Sequence, residues 1–183
     1  TGLKGAVTYQ DPGEAMLPRE SLIAALQAVI CRGWDPSQAD VDFLFQHVSV
    51  PGRFQRVPGP RTTLLDVAHN PDAAAWLASR LQTLSFGRCH AVFGMYGDKN
   101  YTAVMAALDP VVDRWYVCQV AEPRAADADL LIQCLSRSGA SVAGKYAKVA
   151  LAYDAATADS KEDDLILVFG SFPVVGAVMD HLR

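Results

Sequence analysis

Asp66-Val67-Ala68-His69-Asn70-Pro71 gathers a carboxylate, an imidazole and a carboxamide between an apolar run of strand length and a proline suited to open a helix. Ligands of open α/β sheets bind outside the carboxyl ends of the strands, where a strand hands over to a helix. An aspartate there can accept hydrogen bonds from ribose hydroxyls, and helix-end amides with a histidine can face an anion. A second reading is local: Asp66 and Asn70 satisfy turn backbone and His69 is a partly buried spacer.

Other candidates follow later apolar runs. Gly94-Met95-Tyr96-Gly97-Asp98-Lys99-Asn100 offers Lys99 to a phosphate or carboxylate, or else a solvent-facing lysine. In Gly170-Ser171-Phe172, Ser171 can donate to a substrate carboxylate or cap the helix that follows. Glu122-Pro123-Arg124 follows what reads as the central strand, and Arg124 can grip a carboxylate through two parallel bonds or stand exposed. Arg53, in the linker Pro51-Gly52-Arg53-Phe54, can reach across an interdomain cleft from a hinge. No Ser-His-Asp order, catalytic carboxylate pair or metal-ligand spacing stands out, and the sequence contains no GxxxxGK[ST] phosphate loop.

These residues need elements to hold them. From Thr63 onward, strand-length apolar stretches alternate with helical-period ones, which predicts βα units and a parallel sheet. The predicted strands are Thr63–Val67, His90–Met95, Trp115–Val120, a short one at Ser141–Ala143, and Leu165–Gly170. Their near-continuous apolar character suits strands covered by helices on both faces. Ala74, Leu77, Leu81 and Leu84 share one helical face, as do Leu131, Cys134 and Leu135, with Ala152 and Ala156 on a later helix. Phe54–Val57 and Thr62–Leu65 flank Pro58-Gly59-Pro60, a hairpin that adds an antiparallel edge strand. Upstream, Pro18–Cys31 and Pro36–His47 read as two helices, and Val50-Pro51-Gly52 as the linker, giving a helical unit over 1–49 and an α/β unit over 50–183.

Composition sets outer limits. A net charge of −4 without a basic block supplies no attraction for a phosphate backbone, so nucleic acid is not expected as a partner. The longest apolar runs fall far below the roughly 20 residues needed to cross a bilayer, so no membrane partner is expected either. Cys31, Cys89, Cys118 and Cys134 form no CxxC pair and suggest reduced, mostly buried thiols in a cytoplasm. Thr1–Val7 carries neither an initiator methionine nor a signal-peptide pattern and reads as a trimmed end, while Thr1–Ala15 gives no firm structural reading.

Taken in order, Pro51-Gly52-Arg53-Phe54, Asp66-Val67-Ala68-His69-Asn70-Pro71, Gly94-Met95 with Asp98-Lys99, and Gly170-Ser171-Phe172 resemble the signatures of the dihydrofolate synthase/folylpolyglutamate synthase family of the Mur ligase superfamily. The resemblance runs from about Leu17 to the end. It departs at Asn100, where an acidic residue is common, at Pro173-Val174, and at Arg19-Glu20-Ser21. It implies a Rossmann-like carboxy-terminal domain over 50–183, and over 1–49 a helical remnant of a preceding ATP-binding domain that carries the phosphate loop. It further implies ATP with Mg2+, whose ligands lie mostly in that preceding domain, and as partners L-glutamate and a pterin or folate acceptor. The reaction implied is phosphorylation of the acceptor carboxylate followed by amide formation with glutamate. Carried onto this sequence, Arg53, Asp66 and Asn70 would serve ATP, His69 the reacting phosphate or amine, and Ser171 the incoming glutamate; Lys99 matches a family motif without an assigned role, and Lys99 and Arg124 are substrate candidates by residue type. Asp66→Ala should then weaken ATP binding and leave the fold intact. The alternatives are another Mur-superfamily ligase domain and a stand-alone α/β binding module without catalysis.

Overall fold

The computed structural model describes residues 17–59 and 61–183. The reading of Thr1–Ala15 and the Pro60 position of the hairpin lie outside the described residues. The chain divides into two compact units after Val50.

In the first unit, helix α1 (Arg19–Cys31) and helix α2 (Gln38–His47) enclose a small core of Leu17, Leu22, Val41 and Phe45. Helix α2 starts where it does because Ser37 and Asp40 form a capping box: the Ser37 hydroxyl accepts from the Asp40 amide, and the Asp40 carboxylate accepts from the Ser37 amide.

The second unit is a mixed α/β sheet. Its elements are β1 (Gln55–Val57), β2 (Thr62–Asp66), α3 (Pro71–Leu81), β3 (Cys89–Phe93), α4 (Tyr101–Leu108), β4 (Arg114–Cys118), α5 (Ala128–Ser138), β5 (Val142–Tyr146), α6 (Val149–Asp159), β6 (Leu165–Phe169) and α7 (Phe172–His181). The sheet order is β1-β2-β6-β3-β4-β5, parallel throughout except for the antiparallel β1–β2 edge. Strand alternation sorts the side chains. Leu165, Leu167 and Phe169 join the core beneath α3, α4 and α5, whereas Ile166 and Val168 join the one beneath α6 and α7. Helices on both faces thus explain why β3 and β6 are buried at every position. Each fully buried Leu or Phe in these layers stabilises the fold by about 1.5–3 kcal/mol.

Several elements depart from the predicted ones. The strand Arg114–Cys118 is next to the edge, not central; the middle of the sheet is β6 and β3. Strand β5 runs on to Tyr146, through Gly144 and Lys145, because an edge strand is only half buried and needs no continuous apolar run. Helix α4 has no counterpart among the sequence-derived helices. Its sequence, YTAVMAAL, is small and apolar nearly all round, so it lacks the polar face that marks an amphipathic helix. Leu84 lies beyond the end of α3 but still packs on the same core.

The strand register brings three loops together. Asp66 pairs with Phe169, and Phe169 pairs with Phe93, so β2, β6 and β3 end in one row and their loops emerge side by side. Gly170 makes that convergence feasible. Its φ is +112°, and a Cβ would stand 2.5 Å from the Gly94 carbonyl oxygen and 2.9 Å from the Phe93 ring.

Candidate functional site at the strand ends

Asp66 closes β2 with its side chain buried. One carboxylate oxygen accepts from the Phe54 amide at 2.8 Å and the other from the Ala68 amide at 2.7 Å. Burial pushes the Asp66 carboxyl above the ordinary carboxylate range, against the pull of those two amides and of nearby Arg53 and His69. The carboxylate therefore braces two turns, one of which holds Phe54 at φ +43°. Against the expectation that Asp66→Ala spares the fold, these two bonds predict destabilisation, because the substitution leaves two backbone donors without their acceptor.

His69 follows on the same turn. Its Nδ1 lies 2.8 Å from the Val67 carbonyl oxygen. A carbonyl only accepts, so Nδ1 carries a proton, and in the uncharged form of the ring the lone pair lies on Nε2. Asn70 is exposed and caps α3, its side-chain oxygen accepting from the Ala73 amide at 2.9 Å, with Pro71 at the first helical position. Asn100 caps α4 in the same way, its side-chain oxygen accepting from the Ala103 amide at 3.1 Å.

Ser171 precedes α7 but does not cap it. Its buried hydroxyl donates to the Gly94 carbonyl at 3.2 Å, tying the end of β6 to the end of β3. Gly94 itself cannot bear a side chain, since a Cβ would meet the Cys118 carbonyl and thiol at 2.9 Å.

Beyond these residues the loop after β3 and the loop after β4 are stitched together. Gly97 donates to the Arg124 carbonyl and Ala126 to the Met95 carbonyl, each at 2.8 Å, around an isolated Tyr96–Ala125 bridge. The Arg124 guanidinium lies 4.9 Å from the centre of the Tyr96 ring and 2.8 Å from the Asp98 carboxylate, and Lys99 stands 3.8 Å from the same oxygen. The hydrogen bond from Arg124 holds the Asp98 carboxyl below its ordinary range.

A cavity of about 170 Å³ opens at this convergence, lined by His69, Tyr96, Lys99, Arg124, Ser171 and Phe172. Four sequence-derived candidates thus meet in one place. Arg53 lies at its margin, its guanidinium 5.9 Å from the ring of Phe172, while Asp66 and Asn70 do not line it. Tyr96 and Phe172 were not among the candidates, although both sit inside motifs that were; an aromatic next to Gly-Ser or Gly-Asp-Lys is the signal that would have found them. The two cations suit the cavity to a small anionic ligand, whereas the Ser171 hydroxyl, its proton given to the Gly94 carbonyl, and an Nε2 lone pair on His69 can only accept. A larger cavity, about 590 Å³, opens among Arg56, Thr62, Gly87, Glu162 and Asp163 at the amino ends of the strands, away from the edge where open sheets bind ligands.

Residues 52–172 match the model of the Mur ligase, glutamate ligase domain, family. The chain belongs to that family. The dihydrofolate synthase/folylpolyglutamate synthase of Escherichia coli K12 is 39% identical over 166 residues, covering 90% of this chain and 38% of that enzyme. The solved E. coli FolC in complex with DHPP and ADP superposes with a TM-score of 0.81 at 36% identity, over 92% of this chain and 40% of that one. The bifunctional enzyme solved with Mn, AMPPNP and L-glutamate bound gives a TM-score of 0.81 at 34% identity over the same shares. The chain therefore spans about two fifths of the length of these relatives. No helix among the described residues is long and apolar enough to cross a membrane.

Proposed function

We propose that this chain is the carboxy-terminal domain of an ATP-dependent ligase that joins L-glutamate to a dihydropteroate or folate acceptor through an acyl phosphate. The observation that carries the proposal is the convergence of His69, Lys99, Arg124 and Ser171 on one cavity, within a fold shared with folate-pathway glutamate ligases. In this reading residues 50–183 form the ligase domain and 1–49 the end of a preceding ATP-binding domain, in a cytoplasmic enzyme. Lys99 and Arg124 receive the carboxylates of glutamate, and the Ser171 hydroxyl adds a polar contact. In the amide-forming step the uncharged amine of glutamate attacks the acyl carbon, the C–O bond to phosphate breaks, and the amine gives up a proton. The Nε2 lone pair of His69 is suited to take that proton, or, protonated, to steady the departing phosphate.

ATP is assigned to the neighbouring edge. Arg53 approaches the nucleotide from the hinge, and Asp66 uses the acceptor sites its two backbone bonds leave over, out of about four on a carboxylate, for the ribose hydroxyls. Asn70, whose oxygen caps α3, offers its amide donors to the phosphates. Mg2+ neutralises the transferring phosphoryl group when bound. The described residues do not fit a magnesium site of their own, since they contain no group of three His, Cys, Asp or Glu able to hold a metal; its ligands are assigned to the preceding domain.

The test is steady-state kinetics of a full-length enzyme containing this chain, with ATP and glutamate varied separately. Lys99→Ala and Arg124→Ala should raise KM for glutamate, and His69→Ala should mainly lower kcat. Loss of ATP affinity without any change toward glutamate in the Lys99 and Arg124 variants would overturn the assignment of the cavity. The isolated chain should show no glutamate-dependent ATP hydrolysis, because phosphate and metal positioning require the other domain.

A further inference from the structure

Asp98 lies outside the lining of the strand-end cavity, yet it touches both of the cavity's cations. One of its oxygens is 2.8 Å from Arg124 and 3.8 Å from Lys99, and those cations stand on different loops, the one after β4 and the one after β3. The backbone beneath is already fixed by the Gly97–Arg124 and Ala126–Met95 bonds, and the Tyr96 ring supports the guanidinium from another side. Asp98 is therefore not needed to join the loops. It contributes little to folding either, since Arg124 is 65% exposed and Asp98 50% exposed, and ion pairs that wet are weak. It stands between two long side chains beside one cavity, Arg124, which otherwise rests on Tyr96, and Lys99. Arg124 has five N–H donors in a rigid fork, so a bond to Asp98 leaves others for a ligand.

We propose that Asp98 is a positioning residue for the amino-acid substrate: by bridging Arg124 and Lys99 it presents them as a paired receptor for the two carboxylates of an acidic amino acid. The proposal rests on the reading of Lys99 and Arg124 as carboxylate-binding groups. Restricting both cations before the ligand arrives lowers the ordering cost of binding. The opposing effect is repulsion between Asp98 and the incoming carboxylates. With one oxygen committed to Arg124 and Lys99 together, the local charge remains positive by one unit, so attraction prevails.

The experiment uses a full-length enzyme containing this chain. Asp98→Asn keeps the shape and removes the charge; KM for glutamate should rise about 3- to 5-fold, the most an exposed ion pair supports, while kcat and KM for ATP stay within about twofold. Asp98→Glu should recover part of the loss. In the Arg124→Ala background, Asp98→Asn should add much less than it does in the wild type, because the residue it positions is gone. Thermal midpoints should be unchanged, separating positioning from folding. If Arg124→Ala and Lys99→Ala leave KM for glutamate unaltered, the reading of the cavity falls and this proposal with it. If they raise it but Asp98→Asn leaves it unchanged or lowers it, the positioning role alone is overturned.

Discussion

Asp66→Ala should destabilise the second unit whether or not a nucleotide is ever bound. The substitution removes the acceptor of the Phe54 amide and of the Ala68 amide, which Asp66 now holds at 2.8 and 2.7 Å in a site only 4% exposed. A buried donor left without a partner costs about 1–3 kcal/mol, so the two together set a ceiling of about 6 kcal/mol. Two terms reduce it. Burial already works against the charged carboxylate, as its raised pKa shows, and alanine relieves that cost. The Phe54 turn, held at φ +43°, can also relax toward an ordinary conformation and let water reach its amide. A net loss of about 2–4 kcal/mol is expected. Urea unfolding of the 183-residue chain with Trp34 replaced by Phe, monitored by the fluorescence of Trp76 and buried Trp115, would measure it from the midpoint at unchanged slope. A loss below about 1 kcal/mol would refute the bracing role. For the same reason ribose contact is better tested with Asp66→Asn, which keeps one acceptor oxygen, than with Asp66→Ala.

Gly170→Ala should cost about 2 kcal/mol or more in thermal or urea unfolding, because it combines a positive φ with a Cβ 2.5 Å from the Gly94 carbonyl oxygen. Asp164 gives the unit an acid-sensitive joint. Burial works to raise its carboxyl, but bonds from the Lys161 and Arg88 amides and from His90 outweigh burial and hold it below the ordinary range. Its folded-state pKa is thus depressed, so its stabilisation is present above the ordinary carboxylate value and is lost as pH falls through the lower folded value. Asp164→Asn should flatten that part of the stability–pH curve relative to wild type, and identical curves would refute the assignment. Thiol labelling should begin at exposed Cys31, while buried Cys118, its thiol pushed up to about 12, and buried Cys89 should react only on unfolding. Exposure of Cys31 also corrects the expectation of mostly buried thiols, as Cys134 is only partly covered.

The parallel sheet was legible because β2, β3, β4 and β6 are almost wholly buried on both faces and so appear as near-continuous apolar runs. The same property blurred their ends. Met95 and Val120 are buried although neither lies in a strand, since the loops fold back over the sheet edge. Hydropathy reports burial rather than hydrogen bonding, and the predicted strands therefore ran about two residues long at those ends. Where burial weakens, as in edge strand β5, the same signal stops early.

The site divides along a different line. Which residues reach the strand-end edge is legible in the sequence, because each motif immediately succeeds a strand and the register then sets the ends side by side. What each side chain still has to offer is not. Asp66 and Asn70 are acceptors by type, yet both already serve their own backbone. Ser171, by sequence an equally good helix cap, instead spans 77 positions to the Gly94 carbonyl. Asp98 lies in the Asp98-Lys99 motif, yet nothing local to it shows that its carboxylate stands 2.8 Å from Arg124 of another loop and 3.8 Å from Lys99. These pairings depend on loops brought together by the sheet, and local sequence does not encode the distance between loops. A motif therefore identifies where chemistry is located, and the hydrogen bonds already made determine which of its atoms remain available for a ligand.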